Sequence, residues 1–103
     1  MTRIAFKMYL QAGKREEYKK RHDDLWPEVK TLLKDAGISE YSIFIDEQTS
    51  CLFAVMNIVD PGSMATLRES AIMHKWWGYM QDLLESDNIK PISVPLEEVF
   101  YLS

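Results

Sequence analysis

A chain of 103 residues, 47% of them hydrophobic and 27% charged, has the size and composition of one globular domain, with no room for a second. Its 12 Lys and Arg against 16 Asp and Glu give a formal charge of −4, which excludes the dense basic surface that nucleic-acid phosphates demand. The lone cysteine, Cys51, excludes an internal disulfide and a cysteine-based metal cluster, fits a reducing compartment, and reads as a small buried hydrophobe.

Lys7 interrupts the apolar residues at the N-terminus, so the pattern of a secretory signal is missing. No apolar run nears the roughly 20 residues that a membrane span needs. The expectation is a soluble, cytoplasmic protein with neither nucleic acid nor membrane as partner.

From Arg3 to Leu10 the residues alternate, with Ile4, Phe6, Met8 and Leu10 on one face, which predicts a strand. Ala12-Gly13 breaks the alternation, and Lys14 to Ala36 takes helical spacing. Tyr18, His22, Leu25, Val29, Leu32, Leu33 and Ala36 fall on one side, with the charged residues mostly opposite. Pro27 disfavours helical geometry at Trp26, so a kink is expected there, or a restart capped by Asp23 or Asp24. Gly37 suits the end of that helix.

Tyr41 to Ile45 and Cys51 to Val59 read as the two arms of a hairpin joined through Asp46-Glu47-Gln48-Thr49-Ser50, with Asp46 in the turn. Asp60-Pro61-Gly62-Ser63 starts a second helix, whose face is Met73, Trp76, Trp77, Met80, Leu83 and Leu84. Ser86 to Pro95 reads as a loop before a last strand from Glu97 to Leu102. The order is β-α-β-β-α-β. It predicts an α+β fold of the ferredoxin-like, split βαβ kind, with a four-stranded antiparallel sheet and both helices on one face. Both faces of the third strand are mainly apolar, with Leu52, Ala54, Met56 and Ile58 on one and Cys51, Phe53 and Val55 on the other, and the helices leave one sheet face bare. A homodimer packed through that open sheet face is therefore expected.

His22 lies in the middle of the first helix's apolar face, one turn from Tyr18 and one from Trp26. It reads either as a core histidine satisfied by one hydrogen bond or as part of an aromatic-lined small-molecule pocket that Tyr18 and Tyr41 share. Trp76 and Trp77 read either as a bulky core stripe or as a sugar-binding surface. Neighbours on a helix diverge by about 100°, so both cannot face the centre of the core, and indole faces and N–H groups suit sugar C–H faces and hydroxyls. His74 reads as a solvated surface histidine, and Glu97-Glu98 as a solvated strand end in preference to paired catalytic carboxylates. No glycine-rich phosphate loop, HExxH or G-x-S-x-G motif is present, and two histidines on separate helices make no metal site.

Glu17-Tyr18-Lys19-Lys20-Arg21-His22 followed by Trp26-Pro27-Glu28 closely resembles the first-helix signature of the L-rhamnose mutarotases. Further blocks follow in the family's order: Ala5-Phe6 with Met8, Tyr41 to Asp46, Leu52-Phe53-Ala54, Trp76-Trp77 with Tyr79-Met80, and Glu98 to Leu102. The resemblance implies a dimeric α+β barrel that interconverts the α and β anomers of L-rhamnose without metal or cofactor. It implies His22 as proton donor and Tyr18, Tyr41, Trp76 and Trp77 as sugar-binding residues. Cofactor-free monooxygenases and non-catalytic binding proteins share such a fold, and fold alone does not decide among them.

Overall fold

The alternating apolar residues of the first predicted strand and the apolar run of the third set the layers of the fold. In this computed structural model, which describes residues 1–87 and 90–103, they form β1 (Thr2–Tyr9) and β3 (Cys51–Ile58), paired antiparallel along their full length. Between them come α1 (Arg15–Asp23), α2 (Pro27–Asp35) and β2 (Ile38–Asp46). After β3 come α3 (Ser63–Arg68), α4 (Ala71–Met80), the short β4 (Ser86–Asp87) and β5 (Lys90–Pro91), and β6 (Val94–Leu96). The main sheet has the order β2-β3-β1-β6, the split βαβ arrangement expected from the sequence. Met8, Leu52, Ala54, Met56 and Ile58 are buried in one core with Val29, Leu67, Met73, Trp76 and Met80 from the helices. The opposite face carries Phe53, Val55 and a largely exposed Phe44, 62% of whose surface is accessible. No helix among the described residues is long and apolar enough to cross a membrane.

Four stretches differ from the sequence expectation. The first helical stretch does restart at Pro27, but neither Asp23 nor Asp24 caps it. Trp26 is the N-cap, with φ −60° and ψ 133°, the extended backbone that a following proline imposes, and Asp23 pairs instead with Lys19 at 2.9 Å. The second helix is two helices, α4 starting afresh at Ser70, whose hydroxyl accepts from the Met73 N–H. The last strand is Val94–Leu96, paired with Ala5, Phe6 and Lys7, and Glu97 to Leu102 form no strand. Pro95 is tolerated because β6 is an edge strand. The apolar run of residues 99–102 is left without a partner strand: Val99, Phe100 and Leu102 are exposed, and the Tyr101 ring lies 4.5 Å from the Arg3 guanidinium. Within the expected loop from Ser86 to Pro95, β4 and β5 pair, and Asn88 and Ile89 lie outside the described residues.

A bulge in β2 decides which residues of that strand face the helices. Its register against β3 shifts between Ser39 and Ser42, and Glu40 takes the left-handed value φ +51°. The extra residue re-phases the strand, so that Ile38 and, beyond it, Ile43 and Ile45 all pack against the helix-side core. Tyr41 shares the phase of Ile43 and Ile45 and points to the helix layer.

Gly37 closes α2 at φ +83°, and its carbonyl accepts the Val59 N–H at 3.1 Å. A methyl group there would meet Val59 Cβ at 3.1 Å, whereas one at Gly13, φ +78°, would meet nothing within 4 Å. Both substitutions to alanine incur the left-handed backbone penalty of about 1–2 kcal/mol. Gly37→Ala is expected to cost measurably more than Gly13→Ala in urea unfolding, and equal costs would mean that Val59 yields freely.

Candidate active site

Helix α1 places Tyr18 and His22 one turn apart, with ring centroids separated by 4.4 Å. The Nδ1 of His22 lies 3.1 Å from the Tyr18 carbonyl. A carbonyl can only accept, so in this arrangement Nδ1 carries the hydrogen and the neutral ring offers its Nε2 lone pair elsewhere. Burial holds the His22 pKa below its ordinary value of 6.5, against the opposing pull of the Tyr18 carbonyl and the Asp23 charge. His22 is thus mainly neutral at pH 7.

Helix α4 brings Trp76 into a T-shaped contact with His22, at 5.6 Å and 88° between ring planes. Trp76 is only 5% exposed, and its neighbour Trp77, about 100° around the helix, is half-buried. The β2 bulge brings Tyr41 from the sheet. Its residue surface is 37% accessible, yet the hydroxyl end is enclosed, and burial pushes the phenol up to about 12. The Tyr18 phenol is raised further, by burial first and by the proximity of Tyr41 second. Both tyrosines therefore keep their protons at neutral pH and act as hydrogen-bonding hydroxyls, with neither available as a base.

These five residues, Tyr18, His22, Tyr41, Trp76 and Trp77, line one cavity of about 720 Å³. That is ample for a monosaccharide within the usual range of small-molecule sites. Aliphatic and thioether walls from Met8, Leu25, Met73 and Met80 complete the interior, and Arg15, Lys19, Asp23 and Glu40 also border the cavity. The other sequence candidates lie elsewhere. His74 is not a free surface histidine: its Nε2 is 2.7 Å from the Arg68 carbonyl and its ring rests against Trp77. Glu97 and Glu98 are exposed, and Asp46 accepts the Gln48 N–H in the hairpin turn, as expected. Among the described residues no group of three or more His, Cys, Asp or Glu could hold a metal ion.

Sequence reasoning passed over Arg21 and Asp82. The Arg21 guanidinium donates to Glu17 at 2.8 Å, to the Tyr79 carbonyl at 2.7 Å and to both oxygens of Asp82 at 2.9 and 3.2 Å. It also lies over the Tyr79 ring, 4.6 Å from its centroid. The i, i+4 spacing from Glu17 was a legible signal for one of these bonds. Nothing local links Arg21 to a residue 61 positions later.

Compared with known proteins, the chain matches the family model for L-rhamnose mutarotase over residues 3–102. A protein of Formosa agariphila described as L-rhamnose mutarotase is 53% identical over 104 residues, covering 99% of each chain. A crystal structure of an L-rhamnose mutarotase from Formosa agariphila superposes with a TM-score of 0.93 at 49% identity, covering all of both chains. A putative antibiotic biosynthesis monooxygenase from Nitrosomonas europaea superposes with a TM-score of 0.62 at 12% identity, a likeness of fold alone.

Proposed function

This chain belongs to the L-rhamnose mutarotase family and is an isomerase that interconverts the α and β anomers of L-rhamnose; from that premise we propose that His22 is its acid–base group. The observation that carries the reading is the convergence of His22, Tyr18, Tyr41, Trp76 and Trp77 on one cavity. Opening the pyranose ring requires a proton to leave the anomeric hydroxyl and one to arrive at the ring oxygen as the bond between that oxygen and C1 breaks. In this reading Nε2 of neutral His22 takes the first proton, and the resulting imidazolium donates to the ring oxygen. The product is the open hydroxyaldehyde; rotation about C1–C2 and the reverse transfers close the ring on the other face.

The two oxygens share C1, so one imidazole can serve both. Tyr18 and Tyr41 orient the sugar hydroxyls, Trp77 offers an aromatic face, and Trp76 backs the imidazole. Proton transfer is all the chemistry requires, and one positioned acid–base group contributes roughly 10²- to 10⁴-fold.

Two further parts of the proposal concern the setting. Residues 1–103 act as one domain, which the lone free thiol of Cys51 suits to the reducing cytoplasm. The apolar sheet face formed by Phe44, Phe53, Val55 and Leu96 is covered by a second copy of the chain. What supports this is the exposed Phe44 ring on the edge strand β2, with Phe53 opposite it on β3 and Val55 and Leu96 further along the same face.

Magnetisation exchange between the two anomeric proton signals of equilibrated L-rhamnose tests the catalytic assignment. Wild type should accelerate exchange, and a folded His22→Ala or His22→Gln protein should lose the acceleration by about 10²-fold or more. Full activity in either variant would remove His22 from its role. For the assembly, sedimentation equilibrium should give a dimer for wild type and a monomer for Phe44→Asp. A monomeric wild type would refute the face-to-face pairing.

A further inference from the structure

A second, smaller cavity of about 90 Å³ adjoins the first, and Tyr41, Met73 and Trp77 belong to the walls of both. Its own wall is hydrocarbon and thioether: Phe6, Met56, Met64 and Leu67. Met56 and Leu67 are buried, and Phe6 and Met64 half-buried. The charged residues on this cavity are at its outer side. Arg68 is exposed, and the Lys90 side chain, 44% accessible, faces Glu69 at 3.9 Å. Ser93, half-buried, completes it.

A water molecule in the liquid occupies about 30 Å³, so a recess of this size accepts a substituent of one to three heavy atoms and excludes a sugar ring. Its lining suits an apolar substituent. A hydroxyl pressed against Met56, Leu67 and Met73 would lose its water without a partner in return.

L-rhamnose is a 6-deoxy sugar, with a methyl group at C5 where the parent hexose, L-mannose, has a hydroxymethyl. C5 and the anomeric carbon flank the same ring oxygen, so a sugar whose ring oxygen faces His22 holds its C5 substituent close to the reacting centre. The cleft and the recess share Met8, Ile38, Tyr41, Met73 and Trp77 among their walls, so a substituent on a sugar held in the cleft has direct access to the recess. We propose that the recess walled by Phe6, Met56, Met64, Leu67 and Met73 receives the C5 methyl group and makes the enzyme select 6-deoxyhexoses over their 6-hydroxy counterparts. The proposal rests on the mutarotase reading, with Met64 and Leu67 as specificity-determining residues that stand away from the proton-transfer machinery.

Anomeric exchange measured with L-rhamnose and with L-mannose on the same preparations tests it. Wild type should favour L-rhamnose in kcat/KM by about 10- to 100-fold, the discrimination that an apolar pocket achieves over one polar group. Met64→Ala, which widens the recess, should shrink that preference by about 5-fold or more, chiefly by admitting L-mannose, while the L-rhamnose rate still depends on His22. Leu67→Val removes one methylene from the same wall and should move the ratio in the same direction if Met64→Ala fails to fold. Equal wild-type kcat/KM for the two sugars, or an unchanged ratio in a folded variant, would overturn the recess assignment alone. A wild type that accelerates neither sugar would overturn the mutarotase reading and the recess with it.

Discussion

The guanidinium of Arg21 is the contact on which the geometry of this site depends. It bridges α1 to the last turn of α4 through the Tyr79 carbonyl and to the chain just beyond it through two oxygens of Asp82, and it lies over the Tyr79 ring. Only 13% of its side chain reaches solvent, because these partners cover it, although it sits near the outer surface of the fold. The bonds to Asp82 and Glu17 raise its pKa, and the same contact holds the Asp82 carboxyl below its ordinary range. His22 is the next residue in the chain, so the helix turn that bears the imidazole is fixed against α4. From Tyr79 the order passes to Trp26, stacked at 5.4 Å, and from Trp26 to Trp76 at 5.1 Å. Trp76 in turn stands perpendicular to the His22 ring. A surface cation thereby holds an aromatic wall that runs inward to the imidazole, and its value is in position more than in net stability.

The opposite wall depends on backbone geometry. Without the extra residue at Glu40, a strand of period two could not turn Ile38, Ile43 and Ile45 to the same core. Holding a glutamate at φ +51° is a local cost that the sheet on either side sustains. With the bulge, Tyr41 comes near enough to Tyr18 to help that phenol hold its proton. Phenols that burial keeps protonated leave His22 as the one of the five lining residues that can exchange a proton near neutrality. The electrostatic division of labour at the site follows from burial: it depresses the histidine and raises the tyrosines.

Much of this was legible in the residues themselves. The period-two alternation of β1 marked its core face with Met8, and the apolar run of β3 marked a buried strand, whereas the choice of Leu52, Met56 and Ile58 over Phe53 and Val55 for the helix side comes from its register with β1. Helical spacing placed Tyr18 and His22 together, and the divergence of adjacent tryptophans anticipated that Trp76 and Trp77 would not be equally buried. What the sequence did not reveal is long-range. The bond from Arg21 to Asp82 crosses 61 positions, and no periodicity encodes it. The edge strand lies outside its expected span because Val99-Phe100-Tyr101-Leu102 is a longer β-branched and aromatic run than Val94-Pro95-Leu96, while pairing to β1 selects the latter. Residue type alone favours Asp23 as a cap, but Pro27 already fixes the start of α2 and Lys19 engages the carboxylate. The bulge leaves no local sign beyond a polar Ser39-Glu40 pair.

The central claim is that His22 works as a base that is neutral in the resting enzyme and becomes the acid only after taking the substrate's proton. The dependence of kcat/KM on pH tests it most directly, since that ratio reports the ionisation of the free enzyme. Activity on L-rhamnose, corrected for the uncatalysed reaction, should rise with pH through a single inflection below 6.5 and be level at neutrality. The inflection should lie below the unperturbed histidine value because burial disfavours the imidazolium. An inflection above 7 with activity on its acidic side would contradict the account, since it would require a charged His22 in the resting site.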